Sequence, residues 1–215
     1  MAGNVHSRLL YSLLVSIMMV LYGCGDSGVN PAELQFKEIE PGLVFSEVYL
    51  YNDHPESNWL EVYNASDSAM TLTALHLSNV TVLNVLSEEQ VSSGDLLIEP
   101  DHALILCADE DWFKSNWGDE FQLVEVDKLL TITATVNGGF IFLGTGVWGN
   151  LDIDGFQYGT NPQVTEEQAE LFGAQVLSYL RNGNSWSRTI MKSIEKVEVT
   201  LYYQTAPSPG IVIKQ

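Results

Sequence analysis

From Leu43 onward, short runs rich in apolar and β-branched residues alternate with clusters of Asn, Asp, Gly, Ser and Pro. The runs cover 44–51, 59–63, 69–78, 96–98, 103–107, 129–136, 140–143, 155–158 and 196–203, a length and spacing that predict strands of a sandwich or barrel. Several alternate with period two. Met70, Leu72, Ala74 and His76 fall on one face and Thr71, Thr73, Leu75 and Leu77 on the other, so each strand has a face to bury. The intervening 52–58, 64–68 and 137–139 carry the Asn, Asp and Gly that tight turns require. One segment has a different period. Thr165 to Gln168 reads as a capping box, Leu171, Phe172, Ala174, Val176, Leu177 and Leu180 form an apolar stripe at helical spacing, and Asn182-Gly183 supplies a stop. The pattern predicts an all-β sandwich with one amphipathic helix inserted at about 164–182, near the C-terminal part.

The first residues follow another rule. Arg8 precedes an uncharged run from Leu9 to Leu21, and Leu21-Tyr22-Gly23-Cys24 follows. That is the order of a signal peptide. This thirteen-residue run spans about 20 Å as a helix, short of the roughly 30 Å hydrocarbon core of a bilayer. The run ending in Cys24 resembles the lipobox of bacterial lipoproteins, which implies cleavage after Gly23 and lipid on the Cys24 thiol. The expected organisation is a signal peptide at 1–23, a lipidated tether at 24–38 and a folded domain at 39–215. Localisation would be the bacterial cell envelope, anchored to the membrane rather than spanning it.

Charge narrows the partners. With 9 basic and 28 acidic residues among 215, the net charge is −19, which repels phosphate backbones and argues against nucleic acid as a partner. Once Cys24 is an anchor, Cys107 stands alone in an apolar run, where it reads as a small buried hydrophobe and excludes an intramolecular disulfide. His54, His76 and His102 do not form a zinc-binding spacing, so no metal and no cofactor is expected.

Catalytic signals are sparse. Glu47 and Glu61 could be imagined as the paired carboxylates of a glycosidase, though as acids on strands they read better as structural acceptors for backbone amides or Arg188. Asn150, Asp152 and Asp154 followed by Gly155 match the first half of a calcium loop, but position twelve is Asn161 rather than a bidentate glutamate, and an Asp-Gly turn fits as well. Trp112, Trp117 and Trp148 lie beside acidic or glycine-rich segments, where tryptophan either stacks on sugar rings or anchors a loop.

Four blocks in order carry a resemblance: residues 44–49 (VFSEVY), 58–64 (NWLEVYN), 70–78, and Ser185-Trp186-Ser187-Arg188 with a closing Pro207-Ser208-Pro209-Gly210. Together these are similar to the lamin-tail domain. The resemblance implies an immunoglobulin-like β-sandwich, a family found in bacterial extracellular proteins and lipoproteins, and no catalytic site. It leads us to expect a non-enzymatic, lipid-anchored envelope or surface module that binds or scaffolds a protein or envelope polymer. Two alternatives remain, a calcium-supported carbohydrate-binding sandwich and a carboxylate-dependent hydrolase.

Overall fold

A computed structural model describes residues 36–51, 53–77, 80–84, 96–132, 139–144, 154–158, 176–177, 184–193 and 196–214. They belong to a compact unit, Leu34–Gln215. In chain order its elements are β1 (Phe36–Ile39), β2 (Leu43–Tyr49), β3 (Trp59–Asn64), β4 (Met70–Thr71), β5 (Ala74–Leu77), β6 (Val80–Asn84), β7 (Leu97–Ile98), β8 (Ala103–Cys107), the helix α1 (Glu110–Trp117) and β9 (Leu123–Glu125). There follow β10 (Gly139–Gly144), β11 (Asp154–Tyr158), β12 (Val176–Leu177), β13 (Ser185–Ser187), β14 (Thr189–Lys192), β15 (Val197–Thr200), β16 (Tyr203–Thr205) and β17 (Ile213–Lys214).

The fold is an all-β sandwich with one α-helix among the described residues. A six-stranded sheet, β16-β13-β2-β3-β8-β9, faces a five-stranded sheet, β12-β11-β10-β5-β6. Leu43, Phe45, Val48, Leu60, Val62, Leu104 and Leu106 from the first meet Leu75, Leu77, Ile141, Leu143, Phe156 and Tyr158 from the second, and this is the main core. Burial of that many aliphatic and aromatic side chains, at roughly 1.5–3 kcal/mol each, is what holds the two layers together.

The six-stranded sheet is covered on its other face too. Val44, Tyr63 and Ala65 pack with Ile190, Val197 and Val199 of a four-stranded sheet, β1-β15-β14-β17, while Tyr49, Trp59, Ile105 and Cys107 pack with Phe113 of α1. Every residue of β2 and β3 is therefore buried. This is why 43–50 and 59–63 contain apolar residues at successive positions, as strands with two covered faces do.

Asparagines bracket β3. Asn58 accepts the Tyr51 amide at 2.7 Å and donates to the carbonyls of Leu129 and Ile132, and Asn64 donates to those of Ser68 and Ile98, both at 2.8 Å. Each side chain ties a loop to an end of the central strand, so the 58–64 block is a folding motif.

Several expectations change. The folded body includes β1, so the boundary drawn between 38 and 39 falls inside a strand that pairs with β15. The predicted helix at 164–182 lies mostly outside the described residues, but Val176 and Leu177 form β12 and pair in parallel with Gln157 and Tyr158. Sheet pairing overrides their helical spacing. The predicted strand at 129–136 begins instead as a 3-10 turn, Asp127–Thr131, because Leu129 and Ile132, three apart, both turn inward.

Helix α1 occupies the acidic stretch read as a loop. The Asp109 side chain accepts the Trp112 amide at 2.7 Å, Glu110 and Asp111 sit in the positive first turn, and Gly118 ends the helix at φ 104°.

Candidate functional site: two glutamates beneath a C-terminal strap

Glu47 and Glu61 are opposite one another on β2 and β3, on the face away from the main core. A β-bulge precedes Glu47. The register skips Ser46, whose hydroxyl donates to Glu61 Oε1 at 2.5 Å and whose carbonyl accepts the Arg188 amide at 2.9 Å. Residues 206–212, leading to β17, cross over the pair. The Ser208 amide donates to Glu47 Oε1 at 3.0 Å and the Ser208 hydroxyl to Oε2 at 3.2 Å, while the Gly210 amide donates to Glu61 Oε2. From β13 the Ser185 hydroxyl donates to Glu47 Oε1. Both acids are sequestered, with 2% and 0% of their surface exposed.

Among the described residues no cation pairs with either of them. Burial pushes both carboxyls up, the bonds from Ser185, Ser208, Ser46 and Gly210 act in the opposite sense, and burial prevails. The nearby Glu47 adds to the effect on Glu61, which is raised to about 7. Like charges facing each other on neighbouring strands disfavour double ionisation.

Asp154 and Arg188 contrast with this. Arg188 Nη1 donates to Asp154 Oδ2 at 2.7 Å, the same oxygen accepts the Phe45 amide at 2.9 Å, and the guanidinium lies 4.0 Å from the centre of the Tyr202 ring. Burial lowers the Arg188 pKa, but Asp154 and Tyr202 outweigh it and hold the guanidinium protonated. Arg188 thus serves Asp154 rather than the glutamates, and Asp154 is already committed as a calcium ligand would not be. Asn150 and Asp152 lie outside the described residues. Among those described, no three His, Cys, Asp or Glu side chains gather as a metal site.

The remaining candidates are dispersed. Cys107 is buried, and burial, helped by Glu110, Glu125 and Asp109, pushes its thiol up to about 12, which suppresses thiolate formation at neutral pH. Trp112 is half-buried on α1, and Trp117 meets Trp59 edge-on with ring centres 6.5 Å apart, so Trp117 anchors the helix to the sheet. His54 stacks on Tyr51, and His102 bonds the Pro100 carbonyl at 2.9 Å. Cys24 and Trp148 lie outside the described residues.

A cavity of about 640 Å³ adjoins the strap. Ala103 and Ile105 of β8, Phe121, and Gly210 to Val212 of the strap line it, with Asp101 and Glu120 also at its wall. Gly210 has φ +77°, and a Cβ there would come within 2.6 Å of the Phe121 ring. The strap therefore needs glycine at that crossing.

The serines, the strap and the cavity were not foreseen as a unit. The signal available was Pro207-Ser208-Pro209-Gly210, in which proline removes every second amide and leaves two donors, those of Ser208 and Gly210. No family model, curated protein or solved structure matches this chain.

Proposed function

We propose that the chain is a non-enzymatic module held in the bacterial envelope by lipid on Cys24, with a lamin-tail-like, immunoglobulin-like sandwich that binds a protein or envelope polymer through its loops. One observation carries the non-enzymatic part of the reading: Glu47 and Glu61, the residues a hydrolase would use, spend their oxygens on the amides and hydroxyls of Ser46, Ser185, Ser208 and Gly210. A glycosidase needs both carboxyls open to a sugar. The ion pair of Asp154 with Arg188 weighs against the calcium-supported carbohydrate-binding alternative.

The anchor is tested by feeding cells an alkyne-bearing palmitate. Label that is incorporated by the full chain and absent from Cys24→Ala supports it; equal labelling of both, or of neither, overturns it. The non-enzymatic reading is tested by incubating the purified chain with peptidoglycan. Sedimentation with the polymer without release of soluble fragments supports the reading, whereas fragment release that disappears in Glu61→Gln overturns it.

A further inference from the structure

We propose that the C-terminal segment 206–212 is a pH-sensitive strap, latched over the sheet in acid and loosened as the pH rises towards neutrality. The geometry is specific. Between Pro207 and Gly210 the chain has two amides, and both are donated to carboxylates beneath it, Ser208 to Glu47 and Gly210 to Glu61. The prolines also stiffen the segment, so little conformational freedom is lost when it is laid down. Beyond it β17 pairs, among the described residues, with a single neighbour, β14, through Thr189 and Ile190. The strap is thus held by a short edge strand, by the buried Pro209, by Val212 against the Val44 and Tyr63 cluster, and by its amide bonds to the two acids, the contacts that respond to protons.

The groups facing the acids set the direction. Around Glu61 are Ser46 and Glu47 from β2, its register partner Ile105 from β8, and the Gly210 amide from the strap. Around Glu47 are Ser185 and Ser187 from β13, Glu61 from β3, and Ser208. The charged group acting on Glu61 is Glu47. A proton on Glu61 relieves both burial and repulsion, so the covered arrangement holds it up to about pH 7, while a lifted strap admits water and returns the carboxyl to its ordinary value near 4.5. The uncovered form therefore gains on the covered form as the pH climbs through that window. Above about 7 both forms are ionised and the bias stops growing. Gly210, Ile211 and Val212 also wall the 640 Å³ cavity, so lifting the strap removes one of its walls.

The test is amide exchange, followed by NMR on the full chain in detergent and corrected for the intrinsic rate. The proposal expects the protection of Ser208 and Gly210 to fall by up to about tenfold per pH unit between pH 5 and 7 and then level off, while amides of β3 and β8 keep theirs. Protection that is flat with pH overturns it, and so does a parallel loss in β3 and β8, which would mean global unfolding. Glu61→Gln is expected to reduce the slope; a variant with the wild-type slope overturns the proposal. If that variant does not fold, the Glu61 side-chain carboxyl signal of the wild type decides. A midpoint near 7 supports the latch, and one near 4.5 overturns it.

Discussion

Two sites in this sandwich bury carboxylates by opposite means. At the Asp154 site the cation comes along: Arg188 is buried with it, and its guanidinium stays protonated. At the glutamate site two acids are covered with no cation among the described residues, and neutral donors from serines and from the strap backbone partly replace one. In the first arrangement each charge faces its opposite. The second leaves its charge state to the solvent, because nothing in it opposes the cost of burial strongly enough.

The sharpest way to break the contrast is Arg188→Met, which strands Asp154 with no counter-charge. A loss of about 3–5 kcal/mol in urea unfolding is expected, with part of it restored when Asp154 is also replaced by Asn. Next comes the pH dependence of stability. Glu61 has its carboxyl raised in the folded state, so its contribution is full below about pH 4.5 and is lost as the pH rises to about 7, a change of about 3 kcal/mol at most. Comparing unfolding of wild type and Glu61→Gln across that window should show the wild type losing ground steadily. Gly210→Ala places a methyl against Phe121 at a positive φ and is expected to cost about 1–3 kcal/mol, read as a lowered melting temperature with the strap amides exchanging faster at every pH. The smallest effect belongs to Cys107. In the folded chain it should resist iodoacetamide at pH 7.5 and react only in denaturant.

What could be read from the sequence follows the range of the interactions. The strand 103–107 was legible to the residue, and β2, β3, β10 and β11 to within two residues, because their apolar runs are local signals. Helix α1 carries a cap, an acidic first turn and a glycine stop, yet its acidic face and two tryptophans read as a loop. The glutamates were recognised as structural acceptors. Their partners were not, since Ser208 and Gly210 lie 161 and 149 residues away and no periodicity encodes such a meeting. Arg188 was expected beside the glutamates and went instead to Asp154, since the bulge at Ser46 takes its backbone amide and β11 presents the counter-charge.

The wiring of the six-stranded sheet also sets an order of assembly. Its earliest strand, β2, is completed on one side by β13, with Trp186 opposite Val48, and the acids of β2 and β3 are roofed by residues that follow Pro207. A chain emerging from the ribosome holds its early strands long before their neighbours exist, and such non-local pairings form slowly. The early strands of this sheet lack their cover until residues 206–212 have left the ribosome. A stop codon at position 206 would leave two buried acids without their roof.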